Sequence, residues 1–111
     1  MLSKKHRFYG QGAIRYINRK GRPLRSQLFT IKRVPSRQTQ DFRVAVVVSK
    51  KVAKSAPRRN RIRRRIYEVI RTDAYRYAQG SDIVIVVFSD KIATMDYMEL
   101  KTSLVDILKQ R

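Results

Sequence analysis

The sequence contains no cysteine and no tryptophan, and its only histidine is His6. Without thiols, disulfides and thiolate metal sites are excluded. A single imidazole near the N-terminus excludes a histidine-rich metal centre and offers no Ser/His/Asp constellation. Acids are scarce as well: eight Asp and Glu face 27 Lys and Arg, for a net charge of +19. Those acids are Asp41, Glu68, Asp73, Asp82, Asp90, Asp96, Glu99 and Asp106, scattered along the chain. A self-sufficient metal nuclease needs carboxylates that converge on divalent ions, and this distribution argues against one. Asp96 and Glu99 lie one helical turn apart, but in the first turn of an expected helix, where acids are favoured structurally. Long apolar runs are also missing. The longest, "VAVVV" and "IVIVVF", are strand-sized, far short of the roughly 18 residues of a membrane span. The N-terminal "MLSKKHRFYGQGAIRYINRK" is basic but has no apolar run of signal-peptide length. The expected location is the cytoplasm, with a mitochondrial transit peptide as the alternative, and no membrane contact is expected.

What is present suits one domain spanning 1–111, with residues 1–10 a loose terminus. Hydrophobic residues make up 42% of the chain, enough for a modest core. Gly12 to Lys20 reads as a short helix with Ile14 and Ile17 on one side. Gly21 sits where a left-handed C-terminal residue is wanted, and Pro23 stops continuation. Gln27 to Val34 alternates as a strand, and Pro35 to Asp41 reads as a turn or loop. Phe42 to Ser49 is a second strand, apolar on both faces and therefore central or covered twice. The short connection predicts that these two strands pair antiparallel. A long helix follows from about Pro57 to Tyr77, with Ile62, Ile66, Val69, Ile70 and Tyr77 as its stripe. Asn60, Arg64, Tyr67 and Arg71 lie on its opposite side, and Gly80 marks its end. Asp82 to Phe88 is a third, strongly buried strand. After a loop, a last helix runs from about Met95 to Lys109, with Thr94 or Asp96 near its cap. The order α-β-β-α-β-α describes an α+β fold, a split βαβ arrangement with helices packed on a small mixed sheet.

One segment dominates the charge. Lys50, Lys51, Lys54, Arg58, Arg59, Arg61, Arg63, Arg64 and Arg65 fall within sixteen residues, and no acid lies between Asp41 and Glu68. Charge runs are usually solvated faces held by i, i+4 acid partners, but those partners are missing here. Arginine presents a planar fork of donors matched to phosphate. The helix N-terminus adds its own partial positive charge, which also disfavours the isolated protein. A polyanion is the simplest counter-charge. A nuclear-localisation or heparin-type patch shares this composition, but such tracts lie in tails rather than beside an apolar helical stripe.

The same segment, "SKKVAKSAPRRNRIRRRIYEVIR", resembles the signature of the protein subunit of bacterial ribonuclease P. Its parts are Ser49-Lys50-Lys51, then Arg59-Asn60-Arg61, then Ile62-Arg63-Arg64. The resemblance extends to "HRF" near the start, to Gly21 and to "SLVDILKQ" near the end. The link before Arg59 is one residue longer than the commonest form. Arg65 stands in place of a usual apolar residue and Tyr67 in place of a usual basic one. The family often has two aromatic positions on the first helix, where Ile14 and Asn18 stand here.

The resemblance implies a left-handed βαβ crossover, as in ribosomal protein S5 domain 2-like folds, where the general rule favours a right-handed one. It implies a subunit of an endoribonuclease in which the RNA is the catalyst and binds Mg2+, with no metal held by the protein alone. The implied partners are the ribonuclease P catalytic RNA and precursor tRNA, with no protein partner required. No catalytic residue is assigned. The candidate RNA-binding residues are Lys50, Lys51, Lys54, Arg58, Arg59, Asn60, Arg61, Arg63, Arg64 and Arg71, with Asn60 also readable as a local cap. Lys4, Lys5 and Arg7 would add diffuse attraction. Tyr16, Phe29 and Phe42 are candidates for stacking on a single-stranded 5′ leader, though each reads more readily as core. The alternative function is a ribosomal protein or general RNA chaperone without a processing role.

Overall fold

The structure, a computed structural model, describes residues 11–35 and 42–110. The expectations for residues 1–10, with Lys4, Lys5, His6 and Arg7, and for the loop at 36–41 lie outside the described residues. The elements run α1 (Gln11–Lys20), β1 (Arg22–Arg25), β2 (Phe29–Pro35), β3 (Arg43–Val47) and α2 (Ala56–Val69). A π turn (Ile70–Ala74), α3 (Tyr75–Ala78), β4 (Ser81–Val87), a 3-10 turn (Asp90–Ala93) and α4 (Tyr97–Leu108) complete the chain. The fold is α+β, a four-stranded mixed sheet with helices packed on it.

The strand order is β1-β2-β4-β3. β4 pairs antiparallel with β2, from Phe29↔Val87 to Pro35↔Ser81, and parallel with β3, from Arg43↔Asp82 to Val47↔Val86. This corrects the expectation that the strands at 27–34 and 42–49 pair with each other. β4 separates them, because its side chains are apolar on both faces and it gains most from a neighbour on each edge. The strand at 42–49 is thus an edge strand, and its two apolar faces are explained by cover on both sides. Val44 and Val46 face the main core, and Ala45 meets Ile17 of α1 on the other face.

β1 is an addition to the expected order. It forms a hairpin with β2, from Arg22↔Arg33 to Arg25↔Thr30. Pro23 reads as a stop in the sequence, yet an outer strand tolerates proline because no ladder bond is needed on its free edge. Ser26 closes the hairpin by accepting the N–H groups of Leu28 and Phe29 on its Oγ. Gly21 is not in the left-handed region, where the only described residue is Gly80 at φ +74°. Its smallness serves close packing instead: a Cβ there would sit 2.6 Å from Ile17 O and 3.0 Å from Lys32 Cβ.

The main core lies between one sheet face and α2 and α4, around Phe29, Ile31, Ile62, Ile66, Ile83, Ile85, Leu100 and Leu104. A smaller cluster of Ile17, Ala45 and Val84 holds α1 on the other face. Arg33 ties the lower end together. Its guanidinium donates to Leu108 O at 2.9 Å, Tyr77 O at 2.8 Å and Ser81 Oγ at 2.8 Å. Two helix C-termini thus share one cation, which satisfies their unpaired carbonyls and the negative end of each dipole.

The long helix expected to Tyr77 is interrupted by the π turn. Next to it, Tyr97 OH donates to Asp73 Oδ2 at 2.8 Å, and Thr72 Oγ1 lies 2.9 Å from the same oxygen. Lys101 Nζ stands 3.5 Å from the other carboxylate oxygen. The Tyr97 hydrogen bond, then that of Thr72, with Lys101 beside them, hold the Asp73 carboxyl below the usual range.

Two expectations test this packing. Ile66 is fully buried, so Ile66→Ala should lower the unfolding free energy in urea by about 2–5 kcal/mol; a loss below about 1 kcal/mol would mean that the stripe is not seated as described. A lowered folded pKa makes ionised Asp73 stabilising above its unfolded value and lets that contribution vanish as pH falls through the folded value. Wild type should therefore lose more thermal stability than Asp73→Asn between about pH 5 and pH 3. Parallel acid limbs would remove the carboxylate from the network.

Candidate nucleic-acid interface

The basic segment is delivered by a tight connection at the end of β3. Ser49 O accepts from Val52 N at 3.1 Å and Ala53 N at 3.3 Å, which leaves Lys50 and Lys51 exposed on the turn. Ala53 is buried and anchors the link, with exposed Lys54 next to it. Ser55 then caps α2, its Oγ accepting Arg58 N at 3.4 Å, and Pro57 sits in the first turn, where its missing N–H costs nothing. Asn60 therefore has no capping duty. It lies inside the helix, and its Oδ1 accepts from Arg63 Nη1 at 2.8 Å.

With Ile62, Ile66 and Val69 turned to the sheet, α2 presents a cationic flank on either side of its outward crest. The 100° step of the helix places Arg59 and Arg63 on one flank, and Arg58, Arg61 and Arg65 on the other. Arg59 Nη1 donates to Ala53 O at 3.0 Å and Lys54 O at 2.9 Å, which fastens the lysine-bearing link to the helix. Arg58 Nε meets Asp90 Oδ2 at 3.2 Å in an exposed pair. Arg61 Nε donates to Ala93 O at 2.6 Å, and Arg65 Nη1 to Ile92 O at 2.8 Å. On the crest, Arg64 Nε lies 3.4 Å from Asn60 O.

The structure thus gathers Lys50, Lys51, Lys54, Arg58, Arg59, Asn60, Arg61, Arg63 and Arg64 around one helix start. Arg71 stands apart. It lies in the π turn, paired with Glu68, and this hydrogen-bonded pairing holds the Glu68 carboxyl below and the Arg71 guanidinium above their usual values. Tyr67 is not on the outward side as expected. It is only 8% exposed and joins the main core from the Arg59–Arg63 flank of the helix.

The three aromatic candidates separate as well. Phe29 and Phe42 are both buried in the main core, at 0% and 3% exposure. Strand alternation phases Phe29 with Ile31 and Phe42 with Val44, so neither reaches the face across the sheet. Tyr16 is 37% exposed on α1, the layer on that other face. There Ile14, Val34, Val47 and Val86 are partly buried, Lys32 Nζ donates to Asn18 O at 2.7 Å, and Arg43 binds Asp82 through bonds of 3.0 and 2.8 Å.

Arg65 is the one arginine of α2 outside the candidate residues. The signal was available: Arg58, Arg61 and Arg65 follow i, i+3, i+7 spacing, which marks one flank of a helix. Among the described residues, no group of three or more His, Cys, Asp or Glu could hold a metal ion. Nor, among them, is any helix long and apolar enough to cross a membrane.

Comparison with known proteins gives a family and a fold. The sequence model of the family described as Ribonuclease P matches residues 2–111. A ribonuclease P protein component of Bacillus cereus strain B4264 is 30% identical over 109 residues, covering 98% of this chain and 93% of the relative. That of Bacillus anthracis strain CDC 684 is 31% identical, covering 98% and 90%. The solved RNase P protein from Thermotoga maritima superposes with a TM-score of 0.83 at 23% identity, over 95% of this chain and 96% of that one. The protein from Staphylococcus aureus gives 0.79 at 24% identity, over 94% and 93%. At these identities the solved structures speak for the fold.

Proposed function

The chain belongs to the ribonuclease P protein family, with the subunit role in tRNA processing that this carries, and we propose that it binds the catalytic RNA and the 5′ leader of precursor tRNA. In this reading it supports endonucleolytic removal of the leader to give the mature tRNA 5′ end, in the cytoplasm. The observation that carries it is the cation cluster at the β3–α2 junction. Lys50, Lys51, Lys54 and Arg59 surround the N-terminus of α2 and Arg63 and Arg64 continue along the helix, with no acid in the sequence from 42 to 67 to neutralise them. Side chains and helix dipole act together on phosphate there.

The catalyst in this reading is the RNA, and the protein supplies no general base or nucleophile. In this reading Mg2+ is held by the RNA phosphates. The protein lowers the repulsion between catalytic RNA and substrate by placing fixed cations between them. The leader would lie along the sheet face shared with α1, where Tyr16 is the one aromatic candidate with an exposed ring. Phe29 and Phe42, being core residues, have no part in it.

The deciding experiment is reconstitution at low magnesium of leader cleavage by the source organism's ribonuclease P RNA, with and without this protein. Strong stimulation with correct 5′ ends is expected, whereas tight RNA binding without stimulation would favour a ribosomal or chaperone role. If about six cations neutralise phosphates, log K against log salt should fall with a slope of roughly −4 to −5. Arg63→Ala removes a cation whose described side-chain bond is to Asn60. It should cost about 1–3 kcal/mol of RNA affinity with the melting temperature unchanged; unaltered affinity would exclude that flank.

A further inference from the structure

We propose that the pocket between the β1–β2 hairpin and the C-terminus of α4 binds a free mononucleotide, with Arg22 on its phosphate. The inference stands apart from the RNA-binding reading. The pocket lies at the start of β4, beside Ser81. β3 runs parallel to β4 and delivers the basic junction at the other end of the sheet, about 20 Å away along β4.

The hairpin register carries the first observation. Arg22 and Arg33 are direct cross-strand partners, so both side chains project from one face. Like charges set opposite each other destabilise a strand pair. The two arginines are not equivalent. Arg33 is committed to Leu108 O, Tyr77 O and Ser81 Oγ. Arg22 is exposed and, among the described residues, has no hydrogen-bond or ion-pair partner. Its fork is open to an oxyanion, and the fixed charge of Arg33 beside it adds to the attraction. No acid is among the described residues that line the pocket. Asp82, next to Ser81, projects from the opposite face of β4 and is bound by Arg43. An anion at Arg22 turns the cross-strand repulsion into a shared attraction.

The remaining walls fit more than a bare ion. The pocket has a volume of about 330 Å³, at the lower end of the roughly 300–1,000 Å³ of small-molecule sites. Leu24 and Pro35 give it apolar walls, and Gln79 and Gln110 bring two carboxamides to it. Neither carboxamide is taken by a described residue. A carboxamide offers donors and an acceptor together, the complement of a nucleobase edge. Phosphate on Arg22, ring faces on Leu24 and Pro35, and base edge on the glutamines together account for every wall. A ligand so held bridges β1, β2, the turn before β4 and the end of α4. It should therefore raise the melting temperature in a saturable way.

The test is equilibrium dialysis of the full chain against the common nucleoside 5′-monophosphates, their nucleosides and inorganic phosphate. Salt of about 0.15 M screens diffuse attraction beyond about 8 Å. At least one monophosphate should bind one-to-one, about tenfold or more tighter than its nucleoside or phosphate alone. Arg22→Gln should weaken that binding about tenfold, and the ligand-free melting temperature should not change, because Arg22 has no described partner to lose. Arg25→Gln is the control, since it removes the same charge from the same strand on its opposite face. It should leave nucleotide affinity unchanged. Equal losses in the two variants would mean that net charge alone holds the nucleotide. Phosphate bound as tightly as every monophosphate would mean an anion site with no place for a base. Either result overturns the proposal, as does the absence of measurable nucleotide binding. A 5′-phosphorylated tetranucleotide that binds more tightly than every mononucleotide, and loses that advantage in Arg22→Gln, would give the pocket to an RNA end and overturn it too.

Discussion

Strand β4 has neither a free edge nor a wet face over most of its length, and the rest of the architecture follows from that. Its buried residues demand cover above and below, and its ladder groups demand a partner on each side. An antiparallel neighbour, β2, satisfies one edge. The other is taken by β3, which runs parallel and therefore needs a crossover. α2 is that crossover. Its apolar stripe supplies the cover for one face of β4, and its start is fixed beside the end of β3. The cation cluster is thus placed by the strand it helps to bury.

The same segment carries two jobs that conflict in the isolated protein. Burial of Ile62, Ile66 and Val69 stabilises the helix, while dense like charge and an uncompensated dipole oppose it. The structure moderates the conflict with backbone carbonyls. Ala53 O, Lys54 O, Ile92 O and Ala93 O each accept from an arginine of α2. These bonds leave the charge in place. They fix where it sits, so a polyanion meets an ordered array instead of a set of flexible chains.

Much of this was legible in the residues. The stripes of α2 and α4, the burial of β4 and the lysine-arginine junction follow from period, run length and the absence of acids. Other features were hidden for identifiable reasons. Pro23 masked β1, because a stop signal and an edge-strand residue look alike. The short loop between β2 and β3 suggested a hairpin, since nothing local reveals that β4, much later in the chain, takes the place between them. Phe29 and Phe42 looked available for stacking only while the phase of their strands was unknown. The flank that Arg65 shares with Arg58 and Arg61 was legible from spacing, but its anchoring carbonyl, 27 residues away in the 3-10 turn, was not.

The tie made by Arg33 has a kinetic meaning. Its bonds reach 44 residues along the chain to Tyr77 and 75 to Leu108, so they are among the last contacts a growing polypeptide can close. Until β4 emerges, β2 and β3 have no neighbour between them and α2 has no sheet to lie on. Such non-local topology folds slowly, because loop closure must precede the contacts that reward it. During that interval the most cationic part of the chain is already made and has no sheet to pack against.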